Sequence, residues 1–296
     1  MHKNNKHKKG YNFKELIQAH SALEPFVFVN DYNSNETIDF ANPEAVKALN
    51  VALLKSFYNI DYWKFPDAHL CPPIPGRVEY IHHLNDLLKP YKLKDNIRVL
   101  DVGIGATCIY PLLGHSEYNW SFVGTDIDPK SLANAQMIID KNGLSKVVEL
   151  RLQTEKSLIF TGIIEPTDRF ALSMCNPPFY RSEQEALEAA QRKMKGLGNA
   201  SPIRNFSGTA NELWFEGGEK AFLHNYLYES SLYKTQCFWY TSLVSKKDLV
   251  KSMQKSLQKL GATQVKVINM QLGNKISRVV AWTFLTPAQM KDFETS

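Results

Sequence analysis

Apolar residues alternate between two periods along this chain, and the change of period divides it. From about residue 97 onward, short unbroken apolar runs recur: Ile97–Val102, Trp120–Asp126, Val147–Leu152, Phe170–Cys175 and Gln236–Thr241. Each has strand length and is bounded by Gly, Asp or Asn, as expected of strands buried on both faces. Helical spacing lies between them, in a stretch starting near Ala106 and in Ser131–Asn142, where Leu132, Ala135, Ile138 and Ile139 share one side. Gln264–Asn269 and Ser277–Phe284 are two further strands joined by a short Gly273-containing link, which reads as an antiparallel hairpin. The alternation predicts a mostly parallel sheet of seven strands covered on both faces and closed by that hairpin.

Upstream the pattern is helical. Asn42 caps a helix opened by Pro43, with Val46, Leu49, Leu53, Leu54 and Phe57 at helical spacing. A second helix is expected over Val78–Leu88. Cys71-Pro72-Pro73-Ile74-Pro75-Gly76-Arg77 reads as a stiff extended connector between the two. Residues 1–40 look irregular and polar. Lys3, Lys6, Lys8 and Lys9, with His2 and His7 among them, read as a basic tail that either stays solvated or meets a polyanion.

With 296 residues and 44% hydrophobic content the chain can bury a sizeable core. The net charge of +5 fits a polyanionic partner without requiring one. Cys71, Cys108, Cys175 and Cys237 show neither CxxC nor zinc-finger spacing, so no metal is expected and the thiols read as reduced. There is no signal-peptide core and no apolar run long enough to span a bilayer, which points to a cytoplasmic protein.

Two turns carry the chemistry. Asp101-Val102-Gly103-Ile104-Gly105-Ala106-Thr107 leaves the first strand of the alternating region with glycines that admit close ligand approach. It departs from the dinucleotide fingerprint, since Cys108 stands where a third glycine would. An acidic residue just ahead of the glycines repels a pyrophosphate and suits a cationic cofactor such as S-adenosylmethionine. Asp126, at the end of the next strand, can accept hydrogen bonds from ribose hydroxyls. The bland alternative makes the glycines a plain turn and Asp126 a helix cap.

The second turn, Asn176-Pro177-Pro178-Phe179, follows the strand Phe170–Cys175. Two prolines cannot continue a ladder and stiffen the bend. The Asn176 amide oxygen and the Pro177 carbonyl can accept both N–H bonds of a planar amine, and Phe179 can stack on its ring. That combination predicts methyl transfer to an exocyclic amine, with a rigid loop and a core aromatic as the alternatives. Arg77 is a candidate for the cofactor carboxylate or a surface arginine. Trp214-Phe215-Glu216-Gly217-Gly218-Glu219 is a lid or a helix entry. Arg181, Arg192, Lys193, Lys195 and Arg204 fall in or beside a long insertion that is an RNA-contacting loop or a solvated one.

Several stretches together carry a family resemblance. These are Asp39–Pro43 with Ala45–Asn50, Leu70–Pro73 through Arg77 to Tyr80–His83, Gly103 through Cys108–Leu112, Cys175–Phe179, Glu216–Glu219 and Trp239–Val244. Over about Asp39 to Phe284 the chain closely resembles the bacterial ribosomal RNA large-subunit methyltransferase F family. It is also similar to the catalytic domain of the vertebrate enzyme that methylates U6 small nuclear RNA.

The resemblance implies a class I S-adenosylmethionine-dependent, Rossmann-like fold. It implies methylation of N6 of a single adenine in 23S rRNA. Cofactor contacts are implied at Arg77, Gly103, Thr107, Asp126 and Asn176, with another near Gln153 to Ser157. Asp101 and Gly105 join that set from the turn itself. Asn176 to Phe179 hold the acceptor, and Arg181, Arg192, Lys193, Glu216, Gly217 and Gly218 are expected on the substrate side. The corresponding layout is a basic flexible tail over 1–38, a helical extension packed on the catalytic domain over 39–95, and a methyltransferase domain over 96–290 with a mobile loop at 181–208. A DNA adenine, a glutamine amide in a protein, or a non-catalytic RNA-binding assembly role are the competing readings.

Overall fold

A computed structural model describes the chain except for residues 32–33, 68, 94–96, 183, 186–187, 189–212, 273–274 and 296. Its centre is a seven-stranded sheet formed by β3 (Arg98–Val102), β4 (Ser121–Asp126), β5 (Val148–Leu152), β6 (Phe170–Cys175), β7 (Cys237–Val244), β8 (Gln264–Leu272) and β9 (Lys275–Thr283). The spatial order is β5-β4-β3-β6-β7-β9-β8. Neighbours from β5 to β7 are parallel, and β9 runs antiparallel to both β7 and β8. The seven expected strands are all present, and the terminal hairpin is where the Gly273 link predicted it.

The chain enters the sheet at β3, the third strand of the spatial order. It moves outward through β4 to β5, then crosses back to place β6 on the other side of β3. Connections therefore diverge between β3 and β6, and a crevice opens at their carboxyl ends. Val102 pairs with Thr125 on one side and Cys175 on the other, so the ends of β3, β4 and β6 lie level. All six residues of β6 are buried.

Helices cover both faces. α2 (Pro43–Tyr58), α3 (Ile74–Leu88), α4 (Ile109–Tyr118) and α5 (Pro129–Lys141) pack with Leu53, Tyr80, Leu113 and Ile138 in one apolar cluster. α6 (Gly218–Ser230) and α7 (Lys247–Leu260) pack Leu223, Tyr226, Met253 and Leu257 in another. A short α8 (Pro287–Thr295) follows β9. Asn42 caps α2 through bonds from the Glu44 and Ala45 amides, with Pro43 in the first turn.

Two expectations are corrected. The connector at 71–77 is extended only to Pro73. α3 already begins at Ile74, because Pro75 falls in its first turn, where a missing N–H costs nothing. Nor is the segment 1–38 a loose tail. It contains a 3-10 turn (Lys6–Lys9), α1 (Phe13–Ala19) and a two-stranded ribbon of β1 (Val27–Val29) and β2 (Glu36–Ile38). Its polar side chains find buried partners. The His2 backbone N–H and the Asn5 amide donate to the two oxygens of Glu79 at 2.6 and 2.7 Å, and the His7 ring meets the Tyr58 hydroxyl at 2.8 Å. The lysines stay at the surface, and Lys6 pairs with Glu117. The proposed loop at 181–208 lies mostly outside the described residues.

Candidate active site

The crevice at the carboxyl ends of β3, β4 and β6 is a cavity of about 680 Å³. One wall is the glycine turn. Gly103 and Gly105 sit at φ 77° and 65°, where a side chain would be strained, and the Gly103 and Ile104 amides donate to the Thr125 carbonyl at 2.9 Å. Cys108 takes a left-handed conformation (φ 51°) and is fully buried as the chain enters α4. Gly103, Gly105 and Thr107 all line the cavity.

Asp126 lines it from the end of β4. Its carboxylate accepts from the Gly105 amide at 2.9 Å and the Asp128 amide at 3.0 Å. Both oxygens are thereby fixed in orientation. Gln153 follows β5 and takes a hydrogen bond geometry of its own: its N–H donates to the Asp126 carbonyl, and its side chain bridges Thr161 and Glu155. The loop beyond it contributes Leu158 and Ile159 to the wall.

Asp101 is the site's electrostatic anomaly. It is fully buried, and neither carboxylate oxygen has a hydrogen-bond partner among the described residues. Burial first, and the charge of Asp126 second, push its pKa up to about 8, while Arg77 pulls it back. The side chain lies behind the cavity wall and is not part of its lining. The same buried environment raises the thiols of Cys108 and Cys175.

Arg77, in the first turn of α3, does reach the cavity. One terminal nitrogen donates to the Tyr110 hydroxyl at 3.0 Å, while Nε has no partner among the described residues. Asn176, at the end of β6, lines the cavity opposite, and no side-chain hydrogen bond holds its amide among the described residues. Pro178 lines the cavity as well, whereas Pro177 is buried beneath. Phe179 stands on the rim, 42% exposed.

The far wall is Trp214, Phe215, Glu216, Phe222 and Asn225. It is tied to the proline turn through backbone bonds. The Phe179 and Tyr180 amides donate to the Leu213 carbonyl at 3.1 and 3.0 Å, and the Phe215 amide donates to Tyr180 at 3.0 Å. Tyr180 and Trp214 form a parallel bridge. Gly217 and Gly218 (φ 81° and 72°) then turn the chain into α6, and the Arg181 side chain packs against Gly218 so closely that a Cβ there would strike it. Arg181, Glu216, Gly217 and Gly218 thus gather at the rim beside Phe179. Arg192 and Lys193 lie outside the described residues.

Three supports escaped sequence reasoning. Glu229, buried in α6, accepts the amides of Ile159, Phe160 and Thr161, each at 2.9 Å, and so shapes the loop behind the cavity. Trp63 donates its indole N–H to the Thr107 carbonyl at 2.9 Å. Asn134 of α5 spans the Lys64 and Ala106 carbonyls at 3.0 and 2.7 Å. The last two fasten the segment before α3 onto the glycine turn. None of the three leaves a local sequence signal.

Comparison with known proteins decides the family. The sequence model of an RNA methyltransferase family matches residues 1–286. The chain belongs to this RNA methyltransferase family. It is 49% identical over 297 residues to the ribosomal RNA large subunit methyltransferase F of Colwellia psychrerythraea, covering 96% of this chain and 99% of the relative. The protein of the same name from Aeromonas salmonicida is 47% identical over 289 residues, covering 96% and 91%. Among solved structures, the hMettl16 catalytic domain in complex with a MAT2A 3′UTR hairpin superposes with a TM-score of 0.81 at 28% identity, over 97% of this chain and 98% of that one. The N-terminal domain of human METTL16 in complex with SAH gives 0.78 at 26%, over 97% and 99%.

The class I methyltransferase fold, the enzymatic activity and the use of S-adenosylmethionine expected from the sequence therefore hold for this RNA methyltransferase. Among the described residues, no group of three His, Cys, Asp or Glu side chains is arranged to hold a metal ion, and no helix is long and apolar enough to cross a membrane.

Proposed function

We propose that this RNA methyltransferase modifies N6 of one adenine in 23S rRNA, in the cytoplasm, using the cavity between β3 and β6. The observation that carries the reading is Asn176: an amide with no side-chain hydrogen bond among the described residues, just past the end of β6 and lining the cavity, with an exposed aromatic ring three residues on. The relatives' name, ribosomal RNA large subunit methyltransferase F, supports the ribosomal substrate.

The residues present fit S-adenosylmethionine. The unpartnered oxygens of buried Asp101 favour a cationic ligand nearby, acting from behind the wall. Arg77, with Nε free of partners among the described residues, suits the cofactor carboxylate. Asp126, a carboxylate on the cavity wall at the end of β4, is assigned to the ribose hydroxyls. Gly103, Gly105 and Thr107 let the backbone approach, and Ile127, Leu158 and Ile159 offer an apolar bed. When bound, the cofactor supplies an electrophilic methyl group.

On the acceptor side, the Asn176 amide oxygen accepts one N–H of the target amine, and the backbone carbonyl of Pro177, whose residue is otherwise buried, is assigned the other. This aims the nitrogen lone pair into the cavity without prior deprotonation. Phe179 stacks on the extruded base, as an aromatic face holds a flipped nucleotide. Arg181 and Glu216–Gly218 border the entry, and Arg192 and Lys193 are assigned to RNA contact. The deciding experiment is transfer of labelled methyl to rRNA from a strain lacking the enzyme, followed by mapping of the modified base. A single N6-methyladenine in 23S rRNA is the expected product. Label on a DNA adenine or on a protein glutamine would overturn the substrate, and failure to bind cofactor in calorimetry would overturn catalysis.

A further inference from the structure

α7 carries Lys247, Lys251, Lys255 and Lys259, one every four residues and all exposed. At 1.5 Å per residue they form a row about 18 Å long with about 6 Å between neighbours. The row turns away from the buried stripe of Val250, Met253 and Leu257. Lys6, Lys47 and Lys89 elsewhere each pair with a carboxylate. None of the four on α7 has such a partner among the described residues.

Helix stability does not explain the pattern. Lys247 occupies the first turn, where the helix dipole repels a cation. The helix has one acid, Asp248, against these lysines, so the exposed face lacks the mixed signs of a merely solvated surface. Continuity with the active site supplies the direction. α7 starts just past the carboxyl end of β7. There the Ser245 amide donates to Glu219 at 2.7 Å, and the Ser245 hydroxyl bonds the same carboxylate. Glu219 is the residue after Gly218, against which Arg181 packs. The row therefore begins beside the rim of the cavity and leads away from it.

We propose that this lysine row is a backbone track for the RNA strand flanking the target adenine, with successive ammonium groups neutralising successive phosphates. The inference rests on the RNA substrate proposed above. It assigns α7 to affinity and register, and leaves the reacting atoms to Asn176 and Phe179.

The test replaces all four lysines (K247Q/K251Q/K255Q/K259Q) in the full chain and compares a long rRNA fragment with a short RNA trimmed close to the target. On the long RNA the slope of log affinity against log salt should fall by roughly 3, at about 0.7 per lost single-strand phosphate contact. KM should rise at least about tenfold near 0.15 M salt, with kcat and cofactor affinity unchanged. The short RNA should not distinguish the variant from the wild type, and the four-fold Lys→Arg variant should keep the wild-type slope. An unchanged slope and KM on the long RNA overturn the track while leaving the catalytic reading intact. So would unchanged RNA kinetics accompanied by lost binding to anionic phospholipid vesicles. A wild-type enzyme that methylates no RNA removes both proposals together.

Discussion

Replacing Glu229 by Gln should loosen the cofactor cavity from a position that no ligand touches. Oε1 of Glu229 accepts from Ile159, and Oε2 accepts from Phe160 and Thr161, all at 2.9 Å and all at a residue 4% exposed. Glutamine keeps one oxygen. In its better orientation it retains the two bonds at Oε2 and points an NH2 at the Ile159 N–H. The buried Ile159 N–H and the new NH2 then face each other as donors without an acceptor, which together cost about 1–3 kcal/mol, and the remaining two bonds lose the strengthening of a charged acceptor. The sum is about 2–4 kcal/mol, a substantial part of a stability of about 5–15 kcal/mol. Because Leu158 and Ile159 form the cavity wall, part of that loss should appear as weaker cofactor binding, tenfold for each ~1.4 kcal/mol. Urea unfolding and calorimetric titration with S-adenosylmethionine measure the two effects. Glu155→Gln, an exposed acid in the same loop, serves as the control. A Glu229→Gln protein with the unfolding midpoint and cofactor affinity of the wild type would refute the cradle.

Asn176→Ala should lower single-turnover methyl transfer by about 10²-fold or more while cofactor affinity stays within a few fold; a normal rate removes Asn176 from the mechanism. Asp101 is deprotonated when unfolded above its ordinary value of 3.8 but holds its proton in the folded, ligand-free state up to about 8, so its contribution to stability falls as pH rises between those values. A cationic ligand should reverse this and expel the proton, of which roughly nine-tenths is present at pH 7 for such a pKa. Calorimetry in buffers of different ionisation enthalpy should show proton release that disappears in Asp101→Asn, and equal heats in all buffers for the wild type would contradict it. Asn134→Ala frees the Lys64 and Ala106 carbonyls and should cost about 1–2 kcal/mol while speeding cofactor dissociation in stopped-flow; unchanged dissociation would show that the segment before α3 does not brace the glycine turn.

The strands were legible because a parallel sheet covered on both faces leaves continuous apolar runs, of which β6 is the extreme case. The two cavity-lining turns were legible because glycine and proline mark the strand ends. α7 is equally legible, since Val250, Met253 and Leu257 repeat at helical spacing. Other features left no local trace. β1 and β2 have three residues each, too few to show alternation. Glu229, Glu79 and Asn5 are polar residues buried by partners about 70 positions away, and hydrophobic patterning places such residues outside. The basic N-terminus fails as a disorder signal for the same reason: composition counts its lysines but not the carboxylate of Glu79 waiting on α3.

The parallel bridge between Tyr180 and Trp214 has an architectural consequence. It joins the residue after Phe179 to the residue before Phe215, and the bonds from the Phe179 and Tyr180 amides to Leu213 lie beside it. The proline turn and the far wall of the cavity are thereby held as one piece, so a substitution that shifts either one carries the other with it.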